Sequence, residues 1–162
     1  MAETVTACVA LGSNLDDPRA KVLHGVGALA ALPQTRLLAC SRLYRTPPWG
    51  IIEQPDFVNA AARLETSLPP RALLDALRMI ETRAGRVRTI RNGPRVLDLD
   101  LLLYGDRTVD EPDLVVPHPR LCERAFVLLP LADVAPELEV PGHGRVSGLL
   151  ARIDTTGCVP LD

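Results

Sequence analysis

The stretch Arg95-Val-Leu-Asp98-Leu-Asp100-Leu-Leu-Leu-Tyr104 alternates in character with a period of two, and residues 4–12 and 56–66 share that period. Side chains of an extended strand point to opposite faces in turn, so each stretch reads as a strand with one face on a core. In the first, Val5, Ala7, Val9 and Leu11 share a face opposite Thr6, Cys8 and Ala10, and Gly12-Ser-Asn ends the run. In the second, Val58, Ala60, Ala62 and Leu64 oppose Phe57, Asn59, Arg63 and Glu65. In the third, Leu97, Leu99, Leu101 and Leu103 are expected on the core side, with Asp98, Asp100, Leu102 and Tyr104 opposite. A further strand is expected over 36–46.

Helical spacing fills the intervals. Asp17 can cap a helix that starts at Pro18 and presents Val22, Val26 and Leu29, flanked by Leu23 and Ala30, to about Leu32. Pro69-Pro70 opens another, with Leu73, Leu77 and Ile80 as its stripe and Gly85 as its C-terminal cap. The order β-α-β-β-α-β predicts an α+β fold: a ferredoxin-like antiparallel sheet with two helices on one face. The other face is expected to stay open. A helix-like segment near 121–133 and a short C-terminal helical extension near 146–153 complete the expectation. No linker or repeat divides the chain, so residues 1–162 read as one domain.

With 47% hydrophobic and 23% charged residues, the composition excludes a mainly disordered chain. No apolar run approaches the ~18 residues of a membrane span. A net charge of −2 does not mark a nucleic-acid-binding surface. The beginning Met1-Ala-Glu-Thr4 carries no basic, apolar leader, so a cytoplasmic location is expected, with no membrane partner. No exposed apolar stripe stands out, and a monomer is expected. Cys8, Cys40, Cys122 and Cys158 lack zinc spacing and are expected as free, mostly buried thiols. Lys21 is the only lysine and follows alanine, which excludes a P-loop. Gly25-Val-Gly27-Ala-Leu-Ala30 imitates a dinucleotide-binding glycine pattern, but it falls inside a helix and not at a strand-to-helix turn.

The residues that could carry chemistry lie away from the core pattern. Asp98 and Asp100 share a strand face with Cα atoms ~7 Å apart, a spacing that suits a hard divalent cation completed by phosphate oxygens and water. Two solvated aspartates are the alternative, although aspartate is a poor strand former. Arg86, Arg88, Arg91 and Arg95 precede that strand among glycines and a proline, where they could bind a polyphosphate or simply form a solvated basic loop. His118 is held between two prolines and followed by Arg120 and Arg124, which suits a histidine that must point one way. Trp49 lies in a Pro/Gly loop. Phe57 and Asn59 on one strand face suit a flat heterocycle, one stacking and the other hydrogen bonding, or else a small apolar cluster.

The segments Ala10-Leu-Gly-Ser-Asn14, Tyr44-Arg-Thr-Pro-Pro48, Gln54-Pro-Asp-Phe-Val-Asn-Ala60, Gly93-Pro-Arg-Val-Leu-Asp-Leu-Asp100, Val116-Pro-His118 and Arg124-Ala-Phe126, in this order, resemble the 6-hydroxymethyl-7,8-dihydropterin pyrophosphokinases of folate biosynthesis. The resemblance runs from about residue 5 to Pro141. It implies a ferredoxin-like fold and transfer of pyrophosphate from ATP to the pterin hydroxymethyl group, releasing AMP. It also implies that Asp98 and Asp100 hold two magnesium ions. Phe57 and Phe126 would sandwich the pterin, Asn59, Thr46 and Pro47 would read its polar edge, and Trp49 would close over it. Glu81, Arg88, Leu99, His118 and Arg124 would contact ATP, while Arg86 and Arg95 assist transfer. Three positions depart from the family: Asn92 stands where some members carry tryptophan, Pro119 where some carry tyrosine, and Phe57 where tyrosine is frequent. A sheet-face RNA-binding module is the rival reading, and two aspartates near the middle of that face speak against it. A degenerate relative that binds pterin without turnover is the other, against which Asp98, Asp100, Arg95 and His118 are all intact.

Overall fold

The three alternating stretches lie side by side in one antiparallel sheet in the computed structural model, which describes residues 3–48, 53–85 and 94–161; the third is an edge strand, so its two aspartates do not stand near the middle of the sheet face. In chain order the elements are β1 (Val5–Ser13), α1 (Pro18–Ala30), β2 (Thr35–Cys40), β3 (Tyr44–Thr46), β4 (Phe57–Thr66), α2 (Pro70–Arg83) and β5 (Asp98–Tyr104). Then follow β6 (Val109–Glu111), β7 (Leu114–Val116), a 3-10 turn (Leu121–Glu123), α3 (Ala125–Val134), β8 (Glu139–Val140), β9 (Gly144–Arg145), α4 (Val146–Leu150) and β10 (Val159–Pro160). β1 lies between β4 and β5, antiparallel to both. The far edge of β4 pairs with β2 along one half and β3 along the other, and β10 joins β3. The chain is a mixed α/β protein.

The helix starts follow local chemistry. Asp17 caps α1 by accepting the Ala20 N–H at 3.3 Å, and Pro18 occupies the first turn, where its missing N–H is no loss. The glycine decoy lies inside α1, with Gly25 packed close to Leu11 and Leu97. Val5, Ala7, Val9, Leu11, Val58, Ala60, Ala62 and Leu64 form the core with Val22, Leu29, Leu73, Leu77 and Ile80, as their periods require. Among the described residues, no helix is long and apolar enough to cross a membrane.

Several expectations change. The strand expected over 36–46 is two, β2 and β3, separated by Ser41-Arg-Leu43. Twelve residues from Thr35 to Thr46 face ten from Phe57 to Thr66, and Ser41 absorbs part of the surplus by giving its N–H to Ala61 O and taking Ala61 N–H on Oγ. The strand expected over 95–104 starts at Asp98, because the Arg95 N–H goes to the Asn14 side chain and not to a ladder partner.

Within β5, Val9 pairs with Leu101 and Cys8 with Leu103, so Leu102 is an extra residue in the ladder. That bulge inverts the alternation. Leu101 and Tyr104 belong to the helix-side core, whereas Leu102 and Leu103 turn to the opposite face. Leu103 therefore leaves the company of Leu97 and Leu99, and Tyr104 leaves that of the aspartates. Its hydroxyl donates to Leu68 O.

The second sheet face is not open along its length. Val127, Leu128 and Leu131 of α3 and Val146 of α4 cover Cys8, Ala61, Leu102 and Leu103 in a second core. The cysteines also differ from expectation. All four are free, but Cys8 alone is buried, while Cys40 is exposed on an edge strand and Cys122 and Cys158 are half-buried.

Candidate active site

The part of the second face that α3 leaves uncovered is paved with small residues. Across the strands run the rows Asn59–Gly12–Asp98 and Ala61–Ala10–Asp100. A Cβ on Gly12 would lie 2.6 Å from Asn59 Oδ1, so only glycine lets that carboxamide lie flat on β1. Asn59 donates from Nδ2 to Thr46 Oγ1 at 2.6 Å, which locks its orientation and ties β4 to β3. Both groups are buried. Glycine and alanine in the floor leave room above the sheet.

That room is a cleft lined by Ala10, Thr46, Pro47, Phe57, Asn59, Arg95, Asp98, Asp100, Arg124, Phe126 and Val127. Every residue here except Ala10 and Val127 was expected at the site from the sequence. Phe57 enters from β4 and Phe126 from the first turn of α3, two aromatics from different elements on one cavity. The Arg124 guanidinium lies 5.5 Å from the Phe126 ring centroid. Burial and the neighbouring Asp98 raise the Asp100 carboxyl to about 7. Two carboxylates sharing a partly desolvated face repel each other, and a cation between them relieves both costs. Among the described residues no third acidic, histidine or cysteine ligand joins them.

Asp100 also borders a second cavity, with Leu74, Arg78, Leu101, Asp113, Leu114, Val115, His118 and Pro119. The His118 N–H donates to the carbonyl of Leu102, the bulge residue, at 3.0 Å. Its Nδ1 accepts the Arg120 N–H at 3.2 Å, which leaves the ring proton on Nε2. Burial and the positive Arg124 lower His118 to about 4, so the imidazole is neutral near pH 7. The tight, proline-flanked histidine read from the sequence is thus a fixed, neutral donor.

Glu81 and Leu99, expected against a nucleotide, line neither cavity. Glu81 is 1% exposed; its Oε2 accepts the Leu99 N–H at 2.7 Å and its Oε1 accepts from Arg78 Nη1 at 2.9 Å. The same Arg78 nitrogen donates to Leu99 O. Together Arg78 and Glu81 satisfy the outer edge of β5 between the two aspartates. Arg78 was missed by the sequence reading. Its position, four residues after Leu74 and three before Glu81, sets it on the flank of α2 beside the apolar stripe, and that spacing was the available signal. Trp49, Arg86 and Arg88, expected at this site, lie outside the described residues, as does Asn92.

The family model of 7,8-dihydro-6-hydroxymethylpterin-pyrophosphokinase (HPPK) matches residues 8–136. The chain is 52% identical over 143 residues to the 2-amino-4-hydroxy-6-hydroxymethyldihydropteridine pyrophosphokinase of Pseudomonas aeruginosa, covering 88% of each chain. It is 46% identical over 151 residues to the enzyme of that name from Methylorubrum extorquens, covering 93% of this chain and 95% of that one. Among solved structures, Plasmodium falciparum HPPK-DHPS with pteroate superposes with a TM-score of 0.75 at 15% identity, over 94% of this chain and 43% of that longer one. That likeness speaks for the fold, and the sequence matches span the strands, turns and α3 that carry both cavities. With residues 8–136 matched end to end, this chain belongs to the 7,8-dihydro-6-hydroxymethylpterin-pyrophosphokinase family.

Proposed function

We propose that the protein transfers pyrophosphate from ATP to the hydroxymethyl group of 6-hydroxymethyl-7,8-dihydropterin, a step of folate biosynthesis, releasing AMP. The observation that carries this reading is the first cleft, where two aromatics, a locked carboxamide and two carboxylates line one cavity. The pterin lies between Phe57 and Phe126, its polar edge read by Asn59 and by Thr46 and Pro47, with Trp49 beside it. ATP occupies the second cavity, against Leu74, Arg78 and His118, and its triphosphate crosses Asp100 into the first. Arg88 and Arg124 bind its phosphates.

In the transfer, the hydroxymethyl oxygen attacks the β-phosphorus, the bond from that phosphorus to the α,β-bridging oxygen breaks, and AMP leaves with that oxygen. The hydroxyl proton passes to solvent or to a carboxylate of the site. Asp98 and Asp100 would hold two magnesium ions together with phosphate oxygens, which would relieve their mutual repulsion. Held there, the metal would supply charge neutralisation of the triphosphate and polarisation of the β-phosphoryl group. Arg86 and Arg95 offset charge that develops during transfer. His118 donates from Nε2 to a phosphate oxygen. Glu81 and the Leu99 backbone act at one remove, by holding β5 in place. Catalysis of this kind rests on alignment and charge neutralisation.

The sheet order, with β1 between β4 and β5 and the split partner β2 and β3 beyond β4, supports classing the fold as ferredoxin-like. We read residues 1–162 as one cytoplasmic, monomeric domain that uses neither membrane nor nucleic acid. A coupled AMP-release assay with ATP, magnesium and the dihydropterin tests the activity. Pterin-dependent AMP formation that disappears in Asp98→Ala is the expected result; a folded wild-type protein that releases no AMP overturns the reading.

A further inference from the structure

Asn14 follows β1 and is 2% exposed. Its backbone N–H donates to Arg95 O at 3.0 Å, and its Oδ1 accepts the Arg95 N–H at 2.8 Å. Its Nδ2 donates to Gln54 Oε1 at 2.9 Å and to Pro55 O at 3.0 Å. Residues 54–55 precede β4 and Arg95 precedes β5, so none of the three belongs to a sheet ladder. One carboxamide therefore replaces the ladder at this end of the sheet and fastens two separate approaches to the cleft. The first leads within two residues to Phe57, and the second carries Arg95, whose side chain lines the same cavity. Both N–H bonds and an oxygen lone pair are engaged at once, a set that no other side chain of this length supplies.

We propose that Asn14 is a positioning residue that sets Arg95 and the Phe57 approach in register across the cleft, so that the phosphoryl-binding and ring-binding halves are held together. This rests on the proposed activity only for its kinetic consequence. The two halves of the carboxamide can be separated by substitution. Asn14→Asp keeps the acceptor for Arg95 N–H but removes both donors and sets a carboxylate oxygen against Pro55 O. Asn14→Ala removes both functions.

Hydrogen exchange of the unliganded protein tests the connection without reference to turnover. The Arg95 amide should exchange about tenfold faster or more in Asn14→Ala and at the wild-type rate in Asn14→Asp, with β1 and β4 protected in both. In the AMP-release assay, Asn14→Asp should raise the pterin KM about tenfold with kcat within about threefold. Asn14→Ala should lower kcat by a further tenfold or so, since small displacements of a transfer residue are costly. Unchanged Arg95 exchange in Asn14→Ala overturns the proposal whatever the activity. So do equal kinetic losses in both variants that follow a shared drop in thermal midpoint. Absence of wild-type AMP release would instead strike the activity reading and leave the exchange result to decide the role of Asn14.

Discussion

The two cavities that meet at Asp100 are built in different ways. The ring-sized cleft is made by the sheet itself: its floor is Ala10 and Gly12, its amide is locked between β3 and β4, and α3 supplies one wall as part of the second core. The second cavity leans on a surface hairpin. β6 and β7 bring Asp113, Leu114 and Val115 to it, and the exposed Arg71 of α2 ties that hairpin down, with Nη1 to Asp113 at 2.7 Å and Nη2 to Glu111 at 2.8 Å. Core-built walls change only when the fold changes. A wall held by exposed ion pairs is weakly fastened, because such pairs contribute little in water. Ring recognition should therefore be stiff and nucleotide recognition adjustable.

Asp100 belongs to both cavities, and its loss should erase the distinction. Asp100→Asn is expected to lower AMP release on the order of 10³-fold, whichever substrate is varied. The same residue gives a pH signature in protein free of divalent cations. Its folded pKa, raised to about 7, lies above that of an exposed aspartate, so the folded chain binds the proton more tightly. The resulting stabilisation is complete below about pH 4 and is lost as pH rises through about 7. Thermal midpoints measured from about pH 5 to 8 should fall with that slope in the wild type and lose it in Asp100→Asn.

The next largest effect separates the cavities. Phe57→Ala should raise the pterin KM about tenfold, the scale of a lost aromatic stack, while the ATP KM stays within about twofold. Comparable changes in both constants would break the division between a ring site and a nucleotide site. In the second cavity, His118 is neutral from about pH 5 upward because its pKa is lowered to about 4. kcat/KM for ATP should then show no limb near pH 6.5 that His118→Gln removes. Such a limb would mean that the imidazolium is the working form. The smallest effect is expected at the clamp: Arg71→Ala should raise the ATP KM two- to threefold and leave the pterin KM unchanged. A larger change, or one in the pterin constant, would show that the hairpin is not an independent wall.

The strand-borne residues of the first cleft were legible in the sequence because strands report their faces. Period-two alternation put Asp98 with Asp100 and Phe57 with Asn59 before any partner strand was known. Arg78 escaped notice because its role depends on the edge of β5 beside it, and helical spacing names a flank without naming its neighbour. The bond from the Leu99 N–H to Glu81 escaped notice for the same reason. A buried carboxylate that takes a backbone N–H reads in sequence like any acidic residue near the end of a helix.

The amino-acid order by itself determined the places of β1, β4, α1 and α2, the cap at Asp17, the core leucines of α1 and α2, and the shared faces of Asp98 with Asp100 and of Phe57 with Asn59. Those depend on side-chain period and local backbone chemistry, which one chain segment carries alone. Register and coverage were decided only by the tertiary structure. The extra residue at Leu102 exists because β1 pairs with Leu101 and Leu103 and skips the residue between, and it turns Tyr104 into the helix-side core. The second sheet face is half-covered because α3 finds there an apolar patch made of residues from three strands. No segment contains such information, since it arises when distant segments compete for the same hydrogen bonds and the same buried area.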